Sequence, residues 1–392
     1  MKQASKNVPP AELSEPKLLL TLVRAGRLYE LERWILADRP LELPVGRNGR
    51  KKALLQAAVE TGFHSLVELV VKHESSQESK NAALSEALSQ KRLDLIELLV
   101  ANGAEPASVP FADVLLIWDP KIIEYFVSRG ADLVTESPFA EAFGAKVRTA
   151  LRPFKDCKRD HPELAEALQE QVDCALRHFC AKADLLWVNL LIWAGGDVRS
   201  KGPCWSVEYT KDPECYTTGL AEACDSGNLD LIKKLKPDPL KDDMPDLLHS
   251  AAMSKKREVL KFLLEIGAAP NNKPNGGSAA LDTALWHLDT ARIFGDRNGS
   301  RYGAWEALGC IEEMLAHGAV WAPDAYQINN LRKDLLAYDP GVTIDLLQLF
   351  RKHSSCPAAL IHKLLGTPKM KERLKSESWR LNRLGLTVGN PA

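Results

Sequence analysis

No cysteine precedes Cys157, and the eight in the chain, at 157, 174, 180, 204, 215, 224, 310 and 356, follow no repeating interval. A disulfide framework belongs to short secreted chains with regular cysteine spacing, so reduced thiols are expected. The loose trio Cys204, Cys215 and Cys224 lacks the tight pair, two to four residues apart, that preorganises zinc. An excess of one charge is lacking too: 51 basic residues face 52 acidic ones, a formal net charge of -1. That balance removes the general electrostatic case for a nucleic-acid or membrane-surface binder.

Long apolar runs are absent as well. "LLLTLV" (Leu18–Val23) follows two prolines and an acidic segment, unlike a secretory leader. "LLWVNLLIWAGG" (Leu185–Gly196) is interrupted by Asn189 and falls short of the roughly 18 apolar residues of a membrane span. A cytoplasmic protein with no membrane partner is expected. Catalytic signatures are missing in turn: no H-E-x-x-H, no G-x-S-x-G, no Walker sequence, and nine scattered histidines. Cys174 and His178 share a helical face, but Cys180 points elsewhere, so that helix does not assemble three metal ligands. The expectation is a non-enzyme with no catalytic residues, no metal and no cofactor.

What is present is a phrase written repeatedly. "KRLDLIELLVANGAEP" (Lys91–Pro106) and "KKREVLKFLLEIGAAP" (Lys255–Pro270) place apolar residues at matched offsets, Leu95, Ile96, Leu98, Leu99 and Val100 against Val259, Leu260, Phe262, Leu263 and Leu264. That spacing makes one broad helical face. Each phrase closes on Gly103-Ala104 or Gly267-Ala268 and then a proline, which stops a helix. Further versions begin at Gly26, Gly62, Asp119, Asp184, Gly227, Glu306 and Pro340. Alanine-rich segments such as "ALLQAAVET" and "LLHSAAMS" precede them. The unit is therefore a short helix, a tight turn, a longer helix and a glycine-stopped loop, near the 33 or so residues of an ankyrin-type repeat.

The second half of each unit resembles the ankyrin pattern G-H-x-x-V-V-x-L-L-L-x-x-G-A-D. "DLLHSAAMSKKREVLKFLLEIGAAPN" from Asp246 keeps Leu248-His249 and Ala251-Ala252 where that family has L-H-x-A-A, and "SRGAD" (Ser128–Asp132) is a second match. The resemblance covers about positions 17 to 355 in roughly nine units, without a full T-P-L-H. It implies an all-α, ankyrin-like helical-pair solenoid with insertions, a concave groove, and a protein partner; a HEAT- or TPR-type solenoid is the rival. In this reading residues 1–16 form a tail, 17–142 N-terminal repeats, 143–219 a central repeat with helical and loop insertions, 220–355 C-terminal repeats, and 356–392 a helical cap and tail. His249, at the family's L-H position, is expected to bond a neighbouring loop.

Function in a solenoid concentrates where the repeat is interrupted. Between Phe143 and Cys180 a lengthened helix, a loop broken by Pro153 and Pro162, and a second helix are expected; within Lys146–Arg159 the six basic residues Lys146, Arg148, Arg152, Lys155, Lys158 and Arg159 stand against the single acid Asp156. A solvated helical face is the plain reading, and an anionic contact on a partner the functional one. The second interruption, Ser200–Gly219, carries Trp205, Tyr209 and Tyr216, residue types that dominate binding hot spots; packing back onto the stack is the alternative. Candidate partner-binding residues are thus Trp205, Tyr209, Tyr216, Arg148, Arg152, Lys155, Lys158 and Arg159. In the third, Trp286–Gly309, "GDRNGSRYG" is expected to be a turn, since neither a preceding strand nor a lysine-Ser/Thr pair supports a phosphate cradle. The expected function is a scaffold or regulator that binds another protein, an immunity-type inhibitor being its narrower form. The alternative is a nucleic-acid adaptor using the basic segment and the C-terminal tail.

Overall fold

The computed structural model describes residues 15–41, 43, 53–203, 216–275, 277–293, 300–337, 340–353, 361, 364 and 367–383. The chain divides into two compact units, Met1–Val172 and Asp173–Ala392. The first holds α1 (Glu15–Arg24), α2 (Leu28–Leu36), α3 (Leu54–Thr61), α4 (His64–Val71), α5 (Gln77–Ser89), α6 (Leu93–Ala101), α7 (Phe111–Leu116), α8 (Pro120–Ser128), α9 (Pro138–Gly144) and α10 (Leu151–Asp160). Helix α11 (Ala165–Ala181) contributes residues to both units, and the second continues with α12 (Leu185–Trp193), α13 (Gly219–Ser226), α14 (Leu229–Leu235), α15 (Met244–Met253) and α16 (Arg257–Glu265). It ends with α17 (Ala280–Ile293), α18 (Ser300–Ala316), α19 (Ala325–Ala337), α20 (Pro340–Lys352), α21 (Pro368–Arg373) and α22 (Ser378–Arg383). Within each unit, first helices stack on first helices, as α1 on α3 on α5 and α13 on α15 on α17, and each pairs with its own second helix. The protein has an ankyrin-like helical-pair fold.

One backbone device sets the pairs in register. The turn inside each pair from α1–α2 to α15–α16 holds a residue at positive φ, at Gly26, Gly62, Lys91, Trp118, Lys146, Ala183, Gly227 and Lys255. Its N–H donates to the carbonyl three residues back, as Lys91 to Leu88, Trp118 to Leu115 and Lys146 to Phe143. The next N–H commonly reaches one residue further, Arg92 to Ala87 and Val147 to Ala142, the hydrogen-bond pattern that closes a helix on a left-handed residue. Four, five and eight positions after that residue the side chains are buried: Leu95, Ile96 and Leu99 after Lys91, and Val259, Leu260 and Leu263 after Lys255. Starts are capped locally, Asp119 accepting the Lys121 N–H, Asn228 that of Leu231 and Thr218 that of Ala221.

The same rule corrects the expected central insertion. Lys146 sits left-handed in the turn after α9, and Ala150, Leu151 and Phe154 follow it into the core at the usual offsets. Helix α9 packs on α7 and α10 on α8, so this stretch is an ordinary repeat pair. Pro153 does not break it, because it stands in the first turn of α10, where its missing N–H has no intrahelical partner to lose. The pair escapes the sequence periodicity because α10, "LRPFKDCKRD", is charged on its outer side and ends without a glycine. In the third interruption Ser300–Gly303 is already part of α18, while 294–299 lie outside the described residues.

Inter-repeat loops are pinned by side chains. The N–H two residues beyond the closing glycine donates to an Asn or Asp: Glu105 to Asn81 (3.0 Å), Asp197 to Asp173 (2.7 Å), Val320 to Asn271 (2.8 Å). Gln171 does similar work in the first unit, donating to the Leu133 carbonyl (2.8 Å) and accepting from the Phe139 N–H (2.9 Å). No described helix is long and apolar enough to cross a membrane.

Candidate partner-binding surface

The excursion after α12 opens and closes on a pair of short strands, the one sheet among the described residues, with β1 (Lys201–Pro203) antiparallel to β2 (Tyr216–Thr218), called the hairpin below. Its base is clamped by a buried charge. Arg177, only 1% exposed, donates from Nε to the Pro203 carbonyl (3.2 Å) and from Nη1 to that of Ser200 (3.3 Å). Asp173, one helical turn earlier and also buried, holds the Asp197 N–H. Gly202 lies flat against the guanidinium, so a Cβ there would overlap Arg177. Outside the base, Arg199 makes two bonds to the buried carboxylate of Asp242 (2.7 and 3.1 Å), which also accepts the Asp238 N–H (2.7 Å). Such buried polar groups are tolerated because each is hydrogen-bonded. The clamp leaves Tyr216 at the hairpin edge 53% exposed. Trp205 and Tyr209 lie outside the described residues.

The basic candidates belong to the first unit. Helix α10 buries Leu151, Phe154 and Cys157 along one stripe, and Arg152, Lys155 and Arg159 are exposed on the other side, with Arg148 exposed in the turn before it. Arg159 is neutralised locally by Asp156 (2.9 Å) and Asp160 (2.8 Å), and its contact with Asp160 favours the charged form of Arg159 and of Asp160. Lys158 is half-buried and bonds the Gln169 side chain. Phe154 is no stacking platform: its ring packs edge-on against Phe139 (5.2 Å) and Phe143 (5.4 Å) in the core.

Elsewhere, reactive groups are absorbed by structure. His249 Nδ1 lies 3.0 Å from the Thr283 hydroxyl, on the next first helix α17 instead of the neighbouring loop expected. Cys157, Cys174, Cys180, Cys224 and Cys310 are free thiols. Burial pushes Cys157 up to about 11 and Cys180 and Cys310 up to about 12, so these sulfurs stay protonated and unreactive at neutral pH. Cys204 and Cys215 lie outside the described residues, which contain no group of three or more potential metal ligands.

Two features escaped the sequence reading. A groove of about 800 Å³ between α16, α18 and α20 is lined by Trp305, Leu308 and Leu349 and rimmed by Arg257 bonded to Glu313 (2.7 Å) and Glu312 (3.3 Å). Large side chains also stand out from the stack at Trp118, Trp286 and Trp305. Only the left-handed turn position of Trp118, visible once the offset rule is known, would have flagged any of them.

No family model matches the chain, and no curated protein is significantly similar to it. Among solved structures, the human ASB11 ankyrin repeat domain is similar at 16% identity over 78% of this chain and 99% of that chain, with a TM-score of 0.24.

Proposed function

We propose that this chain is a divergent ankyrin-repeat protein that binds another protein through its repeat surface and performs no catalysis itself. The observation that supports this is the projection of large aromatic side chains from a backbone fixed by repeat packing. Tyr216 rises from a hairpin clamped by Arg177, and Trp305, 51% exposed, borders a groove between second helices. A surface held in place before the encounter loses little entropy on binding, and aromatic anchors carry a disproportionate share of interface energy. In the narrower form of the reading, occupation of this surface blocks a partner enzyme. The basic residues of α10 serve association: exposed Arg148 and Arg152 steer an anionic partner, whereas Arg159 is already neutralised in place.

The test is cross-linking of the full chain in its native cell, followed by mass spectrometry of the linked peptides. A stoichiometric protein partner with links on the repeats supports the reading. Reproducible nuclease, protease, deaminase or nucleotide-hydrolysing turnover by the purified chain, lost on a single substitution in it, overturns it.

A further inference from the structure

The groove between α16, α18 and α20 is built by two matched stripes. Trp305, Leu308, Gly309 and Glu312 recur at offsets of three, four and seven positions on α18, and Asp345, Gln348, Leu349 and Lys352 do the same on α20. Residues so spaced lie along one helical face. The two stripes face each other, because their last members join across the helices, Lys352 donating to Glu312 (3.3 Å), and all of them line one cavity of about 800 Å³. Gly309 leaves room for the stem of Arg257, whose Cδ would stand 3.0 Å from a Cβ at that position.

Most of the charge here is committed within the chain. Glu312 is shared by Arg257 (3.3 Å) and Lys352, Glu313 holds Arg257 (2.7 Å), and Asp345 accepts from Arg380 of α22. Three lining side chains have no partner among the described residues: the exposed Arg351, the half-buried Gln348 and the half-exposed indole of Trp305. Arg351 follows Gln348 by three positions and so stands beside it on α20. All three carry N–H donors, whereas both acids lining the groove already accept from a cation. This uncommitted capacity suits a carboxylate, with an apolar group beside it against Trp305, Leu308 and Leu349. Charge limits how much anion fits, since a single unpaired cation stands near the carboxylates of Glu312 and Asp345. One acidic side chain is complementary to that balance; the closely spaced phosphates of a nucleic acid, which call for several cations, are not.

We infer that this groove docks a polypeptide segment carrying an acidic side chain next to a large apolar one. Arg351 and Gln348 bind the carboxylate, and the apolar group lies against the indole of Trp305. The cavity has room for several side chains, more than a small organic acid would fill. This rests on the protein-binding reading and names the partner's chemistry.

The probe is a random copolymer of glutamate and tyrosine, set against polyglutamate, a lysine-tyrosine copolymer and single-stranded oligo-dT. The full chain is expected to bind the glutamate-tyrosine copolymer more tightly than the other three. Trp305→Ala and Arg351→Gln are each expected to weaken it about fivefold or more, the second also flattening its salt dependence. Lys121→Gln, which removes an exposed charge from α8 in the other unit, is expected to change neither. Melting temperatures should match wild type; Arg351 is exposed, so its replacement decides the matter even where loss of the indole loosens the fold. Wild-type affinity in Trp305→Ala or Arg351→Gln, an equal loss in Lys121→Gln, or no binding by the wild type overturns the inference. Oligo-dT bound as tightly as the copolymer and weakened equally by Arg351→Gln does so too, assigning the groove to nucleic acid. A cellular protein partner that cross-links equally to wild type and Arg351→Gln sinks this groove and leaves the protein-binding reading standing, whereas absence of any protein partner sinks that reading itself.

Discussion

At the scale of single residues, the buried polar groups are the ones whose replacement is most informative. Arg177 spends its guanidinium on two carbonyls at the hairpin base, and Asp173 stands buried one turn away. Arg177→Met is expected to cost about 3 kcal/mol, since it strips those carbonyls and leaves a buried carboxylate behind. Gly202→Ala should loosen the same joint by steric conflict with the guanidinium. Urea denaturation measures both, and a wild-type midpoint for either removes the clamp from the account. Asp246 offers a pH test. Burial raises its pKa, the neighbouring Asp243 adds to the rise, and Lys201 and His249 oppose it. A carboxyl whose folded pKa exceeds its unfolded one contributes stability at low pH and loses it as pH rises through the folded value. Asp246→Asn is therefore expected to melt higher than wild type at pH 7, with the gain vanishing near pH 4. A variant no more stable at pH 7 would mean that the carboxylate's position in the first turn of α15 outweighs its burial.

For the helices, the recurring offsets make a quantitative claim. Leu99 and Leu263 occupy the same seat, eight positions after Lys91 and Lys255, and both are fully buried. Leu99→Ala and Leu263→Ala are each expected to cost about 2–5 kcal/mol in chemical denaturation. Losses of similar size confirm that the two pairs share one register; a neutral substitution at either site breaks it. How far this element-level order was legible follows from particular residues. The pairs ending in Gly103 and Gly267 announce themselves, because glycine after an apolar stripe has a direct conformational reason to be there. The α9–α10 pair does not, because its second helix keeps only Leu151, Phe154 and Cys157 as an apolar stripe and ends without a glycine.

Over the whole molecule, contacts within each unit run chiefly between a pair and its neighbours, so stability is a sum of local terms. A core truncation should be felt nearby. In Leu99→Ala, hydrogen exchange is expected to quicken in α5–α8 and to leave α15 and α16 as protected as in wild type. Exchange that quickens equally in both units would show that the chain opens as one cooperative body, contrary to this picture.

Sequence alone determined that the chain is built from helix pairs, because apolar spacing and glycine stops are local signals that act within one helix and its end. It also placed the exposed basic residues of α10, although under the description of an insertion. Only the tertiary structure decided what those signals leave open. Buried charges such as Asp173 and Arg177 look like surface residues in a one-dimensional reading, and their role depends on backbone groups more than twenty positions away, the Asp197 N–H for Asp173 and the Ser200 carbonyl for Arg177. The left-handed seat of Trp118 carries no signal in "LLIWDP" itself and is read only by counting back from Ile122, Ile123 and Phe126 once the structure has supplied the offsets. Exposure belongs to the folded surface, and folding is what set Trp118, Tyr216 and Trp305 outside it while drawing Phe154 in.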